Sequence, residues 1–416
     1  MARATEDQKI PTKFIALMAA LMALNALAID IILPALFAIG QDFNVPSKND
    51  QQLVIVAYII GLGAAQLFVG PLADRYGRKR PLLVSIVGYT IFAILSAFAP
   101  SFIVLVAARA LQGAFASGAR VISVSVVRDT ASGDQMAQVM SLIMMTFMVV
   151  PILAPNLGWA ILLIGDWRMV FAALAILGFG LLIWTGAGLK ETLNPKHRRS
   201  INVKAVARSY WAVVKTPASR AYTISLGMIF GAFFTFISTS EQIFRDIYQI
   251  TDRFPLYFSS IAFFLALSSF TNSRMVRRFG AKAISQGALI ALVALTLTFV
   301  IFHKSIETHV LFFVAMMSAI FFLFGLIGPN FNALAMKPLG HIAGVASAAV
   351  GFTSTALSGA IGGFVGRLFD GSLFALSGGF ATFSSLALIT LSLHLRNDAK
   401  RNADNRSKTF NARRRS

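Results

Sequence analysis

Asp30 and Arg109 are charged residues that stand deep inside long apolar stretches of the sequence. A stretch of roughly 20 apolar residues can cross a lipid bilayer, and a charge near its centre costs about 2.5–3.5 kcal/mol. Each of the two lies about seven residues, or roughly 10 Å, from the same side of the bilayer. They could meet or share water, where a nearby cation favours the charged carboxylate and burial favours the neutral one. The pair could therefore bind and release a proton, or could be a static ion pair that joins two helices.

Other side chains could line a cavity between such helices. Arg120 follows Arg109 by 11 residues, so both lie on one helix face, and it could be a second cavity charge or could extend to the membrane interface. Glu241 could contact a cation, be a second proton site, or be an ordinary interfacial carboxylate. A site for varied amphipathic compounds should be apolar, adaptable and sparsely polar. The remaining candidates for substrate contact are Asn25, Tyr58, Met144, Phe147, Met148, Phe233, Phe236, Asn330 and Asn332.

The overall composition is typical of a membrane protein and not of a soluble enzyme. Of 416 residues, 56% are hydrophobic and 13% are charged, whereas soluble chains carry about 25% charged residues. Cysteine is absent and the five histidines lack metal-ligand spacing, which excludes disulfides, cysteine-ligated zinc and thiol nucleophiles. The sequence has no nucleotide-binding loop and no catalytic-triad spacing. We therefore expect no enzyme activity and no cofactor.

The apolar runs predict an all-α membrane protein with twelve transmembrane helices in two pseudo-symmetric six-helix bundles. The longest hydrophilic stretch separates the sixth run from the seventh. The predicted organisation is an N-terminal bundle over 1–188, a cytoplasmic linker over 189–220, a C-terminal bundle over 221–395 and a flexible basic tail over 396–416. The runs are 14–37, 51–73, 82–99, 102–126, 138–163, 168–188, 221–241, 255–273, 283–303, 310–330, 341–363 and 372–394.

The distribution of Lys and Arg predicts the orientation of the chain. Of the 37 basic residues, 29 fall in every second loop and in the termini, and only 6 fall in the intervening loops. Basic residues mark cytoplasmic loops, so both termini are predicted to be cytoplasmic. A net charge of +20 could by itself suggest nucleic-acid binding. Because the charge follows alternate loops and does not cluster on one domain, no nucleic-acid partner is expected.

A short basic turn occurs twice in the sequence. At an offset of 203 residues, Arg75, Gly77 and Lys79 after the second run match Arg278, Gly280 and Lys282 after the eighth, while Asp74 becomes Arg277. A repeat at corresponding positions of two halves is typical of transporters whose central site lies between the halves.

The first copy of this turn resembles motif A of the major facilitator superfamily, G-x-L-[AS]-D-R-x-G-R-[KR]. The glycines permit close approach and tight turning. Asp74 could pair with a basic residue of a neighbouring helix and latch the outward-facing state, whereas the plain alternative is a solvated, positively charged loop. The match includes Gly70, Leu72, Ala73, Asp74, Arg75, Gly77, Arg78 and Lys79.

Three further stretches resemble the drug:proton antiporter branch of that superfamily, most closely its Bcr/CflA-type transporters. The stretch from Asp30 to Leu36 is similar to the signature D-x-x-x-P-x-[LM]. In the third stretch Trp159 replaces a usual glycine and Asn156 is more polar than the motif expects. The matching residues are Arg109, Gln112, Gly113, Arg128 and Asp129 for motif B, and Pro151, Pro155 and Gly158 for motif C.

The resemblance implies a monomeric twelve-helix transporter in the bacterial inner membrane, surrounded by lipid. It would export small amphipathic compounds by alternating access, with the proton gradient as its energy source and no cofactor. Asp30 would be the main proton carrier and Arg109 its coupling partner. A dedicated exporter of one metabolite, such as an amino acid derivative or a sugar, remains an alternative, as does a membrane sensor without transport.

Overall fold

A computed structural model describes residues 10–131, 133–198 and 210–415, apart from the side chains at 133–134, 137–138, 141, 144–148, 197, 340–345 and 400–415. In these ranges the chain is nearly all helical. The helices are α1 (Thr12–Asp30), α2 (Leu36–Asp42), α3 (Leu53–Tyr76), α4 (Lys79–Ala97), α5 (Phe102–Thr130), α6 (Gly133–Leu162), α7 (Arg168–Gly188), α8 (Pro217–Asp246), α9 (Phe254–Glu307), α10 (Val310–Met336), α11 (Ala343–Arg367) and α12 (Phe374–Arg415).

The helix order agrees with the twelve predicted crossings. In the described part of the chain, ten helical segments are long and apolar enough to cross a membrane. One of them, α9, has 54 residues and two predicted runs, and a straight helix of that length would be about 80 Å long against a hydrocarbon core of about 30 Å. Gly280 has a φ of 78° and divides α9 between these two runs. The remaining run lies in α6, which contains Pro151 and Pro155 and continues to Leu162.

The first predicted span is broken where it was expected to be continuous. The helix α1 ends at Asp30. A 3-10 turn follows over Leu33–Ala35, and α2 begins directly after it at Leu36. Pro34 lacks the amide hydrogen that would bind the carbonyl of Asp30 in an uninterrupted helix. The break therefore places the only buried carboxyl of this segment at a helix end.

The C-terminal tail was expected to be flexible, and as far as Arg415 its backbone is helical. The helix α12 runs from Phe374 to Arg415. The sequence contains neither glycine nor proline after Gly379, so nothing in it ends the helix that begins in the membrane. The predicted linker is described only in part, because residues 199–209 lie outside the described ranges.

Two glycines allow α3 and α5 to cross with their backbones in contact. A Cβ at Gly113 would meet the backbone carbonyl of Tyr58, and one at Gly61 would meet that of Ala110. Small residues permit this close approach between membrane helices. The helices thereby hold Tyr58 and Arg109 next to each other.

We expect Gly113→Ala to lower the free energy of unfolding by about 1–3 kcal/mol, because the added methyl group would force two backbones apart. Gly180 in α7 has open space where a Cβ would lie. Gly180→Ala is therefore expected to be neutral or stabilising by up to about 1 kcal/mol, since alanine favours helix. Thermal unfolding of both purified variants in detergent checks this, and equal melting temperatures would contradict it.

Candidate functional site

Asp30 is a buried carboxyl that forms no hydrogen bond or ion pair within the described part of the chain. It is 3% exposed, and its Oδ1 has no hydrogen-bond donor in the described part of the chain. Gly158 of motif C lies against the carbonyl of Ile31, so α6 approaches the chain next to this carboxyl. An ionised carboxylate that is buried and unpaired is expensive, and a bound proton removes that cost.

Arg109 is fully buried, and its hydrogen bonds go to groups other than Asp30. Its Nε donates to the carbonyl of Val54 (3.1 Å), its Nη2 to that of Ala28 (2.9 Å), and its Nη1 to Oε1 of Gln112 (2.7 Å). These bonds join α5 to α1 and α3. A static Asp30–Arg109 ion pair was one of the two predicted interpretations, and in this conformation it is not formed, because the guanidinium is already engaged by these three acceptors.

Tyr58 and Asn25 extend this polar network. The guanidinium carbon of Arg109 lies 4.4 Å from the centre of the Tyr58 ring, a distance at which a cation and an aromatic face attract each other. The Tyr58 hydroxyl donates to Oδ1 of Asn25 (3.3 Å), whose Nδ2 donates to the carbonyl of Ala116 (3.3 Å). Four of the predicted site residues, Arg109, Gln112, Tyr58 and Asn25, are thus brought together. Arg120 is half-buried, with no hydrogen bond or ion pair in the described residues.

The predicted aromatic residues of α8 lie in one cluster. Phe233 is partly accessible and stacks on Phe324 with ring centres 4.4 Å apart. Phe236 is fully buried against Phe258 and Phe321, so it packs the core and does not face a cavity. The side chains of the other adaptable candidates, Met144, Phe147 and Met148, lie outside the described residues.

The two predicted asparagines of α10 have different surroundings. Asn330 is buried and donates from Nδ2 to Oδ1 of Asn272 at 2.7 Å, which joins α10 to α9. Asn332 is exposed. Their spacing of two residues places them on different sides of the helix. The two side chains therefore do not line the same cavity.

Glu241 is an ion-paired carboxylate near the end of α8. Both of its oxygens accept from Nη1 of Arg245 at 2.7 and 2.9 Å, and Arg245 also binds Asp246 at 2.9 Å. The guanidinium of Arg245 lies 3.9 Å from the ring centre of Phe37 in α2. Sequence reasoning did not identify Arg245, although its spacing of four residues from Glu241 is the signal for such a pair.

The motif A turn is an interlocked structure and not a solvated loop. Arg78 is 4% exposed, and it binds Asp74 at 2.6 Å and Asp129 of motif B at 2.8 Å. The predicted partner of Asp74 was a basic residue of a neighbouring helix. Its partner is instead Arg78, four residues further along the chain at the start of α4, and Arg78 also binds Asp129 of α5, which links the helices. Gly77 has a φ of 90°, a backbone conformation that glycine adopts without strain, which explains why glycine occupies this position.

The other motif residues are more accessible. Arg75 is exposed and stacks on Tyr76, Arg128 is exposed at the end of α5, and Gly70 has open space around it. Lys79 donates from Nζ to the carbonyl of Gly186 at 2.7 Å. The motif A turn is therefore anchored by Arg78 and Lys79.

Glu191 closes this turn from the predicted linker. Its carboxylate accepts from the backbone N–H groups of Arg78 (2.8 Å) and Lys79 (3.2 Å). Partial burial would raise the pKa of Glu191, but hydrogen bonds from the backbone N–H groups of Arg78, Leu193, Lys79 and Thr192 outweigh that effect and hold the pKa below its ordinary value of 4.5. Sequence reasoning did not identify Glu191, because its partners are backbone groups.

A depressed pKa means that the Glu191 contact stabilises the turn above about pH 4.5 and that this contribution disappears as the pH falls through the lower, folded-state pKa. We expect the amides of Arg78 and Lys79 to exchange hydrogen more slowly in the wild type than in Glu191→Gln at neutral pH. The difference should vanish on acidification below the folded-state pKa. Hydrogen exchange followed by mass spectrometry at matched pH values tests this, and a difference independent of pH would contradict it.

Uncharged side chains join the two halves of the molecule at one end. We call the end with the α3–α4 turn and residues 189–216 the linker end, and the opposite end the far end. At the far end, Gln52 donates to Oε1 of Gln242 (3.0 Å) and Gln242 donates to Oδ1 of Asn49 (2.7 Å). Asn49 also donates to the carbonyls of Arg367 (3.0 Å) and Phe369 (2.7 Å). We call Asn49, Gln52 and Gln242 the amide cluster.

A second contact between the halves involves the polar residue of motif C. Asn156 donates from Nδ2 to Oγ of Ser259 at 2.7 Å, and Ser259 donates to the carbonyl of Ile152 at 2.6 Å. This joins α6 to α9. Among the described residues, no hydrogen bond or ion pair joins 10–188 to 217–415 at the linker end. The halves are therefore held together toward the far end.

Comparisons with known proteins agree with this architecture. The sequence profile of the Major Facilitator Superfamily matches residues 18–363. Among solved structures, a peptide transporter POT in complex with sulfate has a TM-score of 0.72 at 14% identity, covering 96% of this chain and 96% of that one. A D-xylose–proton symporter has a TM-score of 0.67 at 16% identity, covering 90% of this chain and 95% of that one. These structures confirm the predicted fold.

Curated relatives are similar over most of the chain. An uncharacterized MFS-type transporter, YdgK of Bacillus subtilis, is 32% identical over 359 residues, which cover 84% of this chain and 87% of the relative. A bicyclomycin resistance protein homolog of Haemophilus influenzae is 27% identical over 366 residues, covering 87% and 91%. The multidrug resistance protein MdtL of Escherichia coli is 31% identical over 239 residues, covering 57% and 59%. The chain belongs to the major facilitator superfamily of membrane transporters.

Proposed function

We propose that the protein exports small amphipathic compounds in exchange for protons. The observation that carries this proposal is Asp30, a carboxyl 3% exposed at a helix break inside the membrane and without a hydrogen-bond donor to Oδ1 among the described residues. A group of this kind can take up a proton where it is buried and lose it where water or a cation reaches it. The resistance functions named for two of the relatives support an amphipathic cargo.

We further propose alternating access with the linker end in the cytoplasm. The 29 basic residues in alternate loops and termini favour this orientation. The amide cluster holds the far end together, so this conformation would face inward, ready to receive cargo from the cytoplasm. Arg109 would position α1 through the carbonyl of Ala28, two residues before Asp30. The protein would act as a monomer in the bacterial inner membrane with the gradient as its only energy source.

The test is transport by purified protein in proteoliposomes with an imposed pH gradient and a panel of substrates. We expect several chemically unrelated amphipathic compounds to move uphill and a protonophore to stop them. Movement of one metabolite alone would identify a dedicated exporter. If nothing moves under any gradient, the transport proposal is wrong and a sensor role is favoured.

Gln242→Ala is expected to open the far end. It removes two hydrogen bonds of the amide cluster, each worth about 1 kcal/mol, so the population open at the far end should rise about 30-fold. The chain has no cysteine, which allows one to be introduced alone at Ser238, buried near the cluster. Its rate of labelling by a membrane-impermeant maleimide measures the opening. Gln249→Ala is the control, because Gln249 is exposed and lies just after the end of α8. Equal labelling rates in the Gln242 and Gln249 variants would contradict the prediction.

A further inference from the structure

An apolar pocket of about 450 Å³ lies between α3, α4 and α5 near the linker end. Its walls include Phe68, Leu72 and Val84. Tyr76 and Arg80 lie at its linker end, where α3 ends and α4 begins. Neither the proton site nor the contacts between the halves use it.

The pocket faces lipid and not the space between the halves. On α3, Gly63 lies against Thr355 of the second half. At 100° per residue, Leu72 is about 180° around the helix from Gly63, and Ala65 is about 160° from it. Phe68 is 65% exposed and Val84 62% exposed, and inside a membrane such apolar side chains contact acyl chains.

The dimensions of the pocket match one acyl chain in one leaflet. It extends along α3 from Ala65 to Tyr76, a separation of 11 residues or about 16 Å along a helix. Half of the hydrocarbon core is about 15 Å thick. An acyl chain that lies in the pocket therefore has its headgroup beside Tyr76 and Arg80.

Arg80 is the cation that can meet this headgroup. Its neighbours Arg78 and Lys79 are bound to Asp74, Asp129 and the carbonyl of Gly186. Arg80 is exposed and, in the described part of the chain, has no hydrogen bond or ion pair. We propose that the pocket binds an anionic phospholipid, with one acyl chain against Phe68 and Leu72 and the phosphate on Arg80.

The test is lipid binding to the full-length purified protein by native mass spectrometry, with phosphatidylglycerol and phosphatidylethanolamine titrated separately. We expect phosphatidylglycerol to bind more tightly. Arg80→Gln should weaken it about fivefold, the equivalent of about 1 kcal/mol for one basic residue at an anionic surface. Ala65→Phe, which fills the deep end of the pocket, should weaken both lipids.

Arg278→Gln is the matched control, because Arg278 is also an exposed arginine, belongs to the second copy of the repeated turn and is remote in sequence from the pocket. It should leave phosphatidylglycerol binding unchanged, and all three variants should melt within a few degrees of the wild type. Equal affinity for the two lipids, or equal losses in Arg80→Gln and Arg278→Gln, would overturn the proposal. Displacement of the lipid by a transported compound, together with loss of transport in Ala65→Phe, would overturn it in favour of a substrate pocket.

Discussion

Replacing Asp30 with asparagine is expected to abolish uphill transport and leave downhill movement of substrate. Asparagine has the same shape but neither binds nor releases a proton, so the driving force of the gradient is no longer coupled to the cargo. The rate of uphill transport should fall about 100-fold, a loss of about 2.8 kcal/mol in the coupling between proton and cargo. Proteoliposomes with and without a pH gradient separate the two kinds of transport.

The matched control is Asp42→Asn. Asp42 is the last residue of α2, in the same apolar helical segment of the structure as Asp30, but it is exposed and pairs with Arg168 at 2.8 Å, a surface ion pair of small energetic value. It should transport like the wild type. If the Asp30 variant folds and still concentrates substrate as fast as the wild type, then Asp30 does not carry the proton.

Arg109→Lys is expected to impair both stability and transport although it keeps the charge. The guanidinium of Arg109 donates hydrogen bonds to three separate acceptors. The ammonium group of lysine is a compact point charge and cannot reproduce the planar arrangement of these donors. Two unpaired buried acceptors would cost about 2–6 kcal/mol in total. Uphill transport should fall roughly tenfold or more, because each 1.4 kcal/mol changes an equilibrium tenfold.

Thermal unfolding in detergent and transport in proteoliposomes measure the two effects. Arg168→Lys makes the same substitution at a partly exposed site that binds Asp42, and it should change neither quantity by more than the scatter of replicates. If Arg109→Lys transports normally, then the fork of Arg109 does not position the first span for proton exchange.

The sequence by itself determined the membrane class, the order of the spans and the family, because hydropathy, loop charge and the motif residues are local properties of the chain. Asp30 was found in the same way, since a lone carboxyl in an apolar run is visible without a structure. The helix break beside it was not foreseen, although Pro34 was the signal.

Only the tertiary structure decided which groups meet. Equal depth suggested that Asp30 and Arg109 form a pair, but depth does not fix the direction of a side chain around its helix, and Arg109 binds carbonyl oxygens of α1 and α3 instead. The amide cluster and Glu191 were not found in the sequence for the same reason. Their partners are backbone groups or residues up to 320 positions away, and such contacts depend on how two bundles are packed, which no local pattern contains.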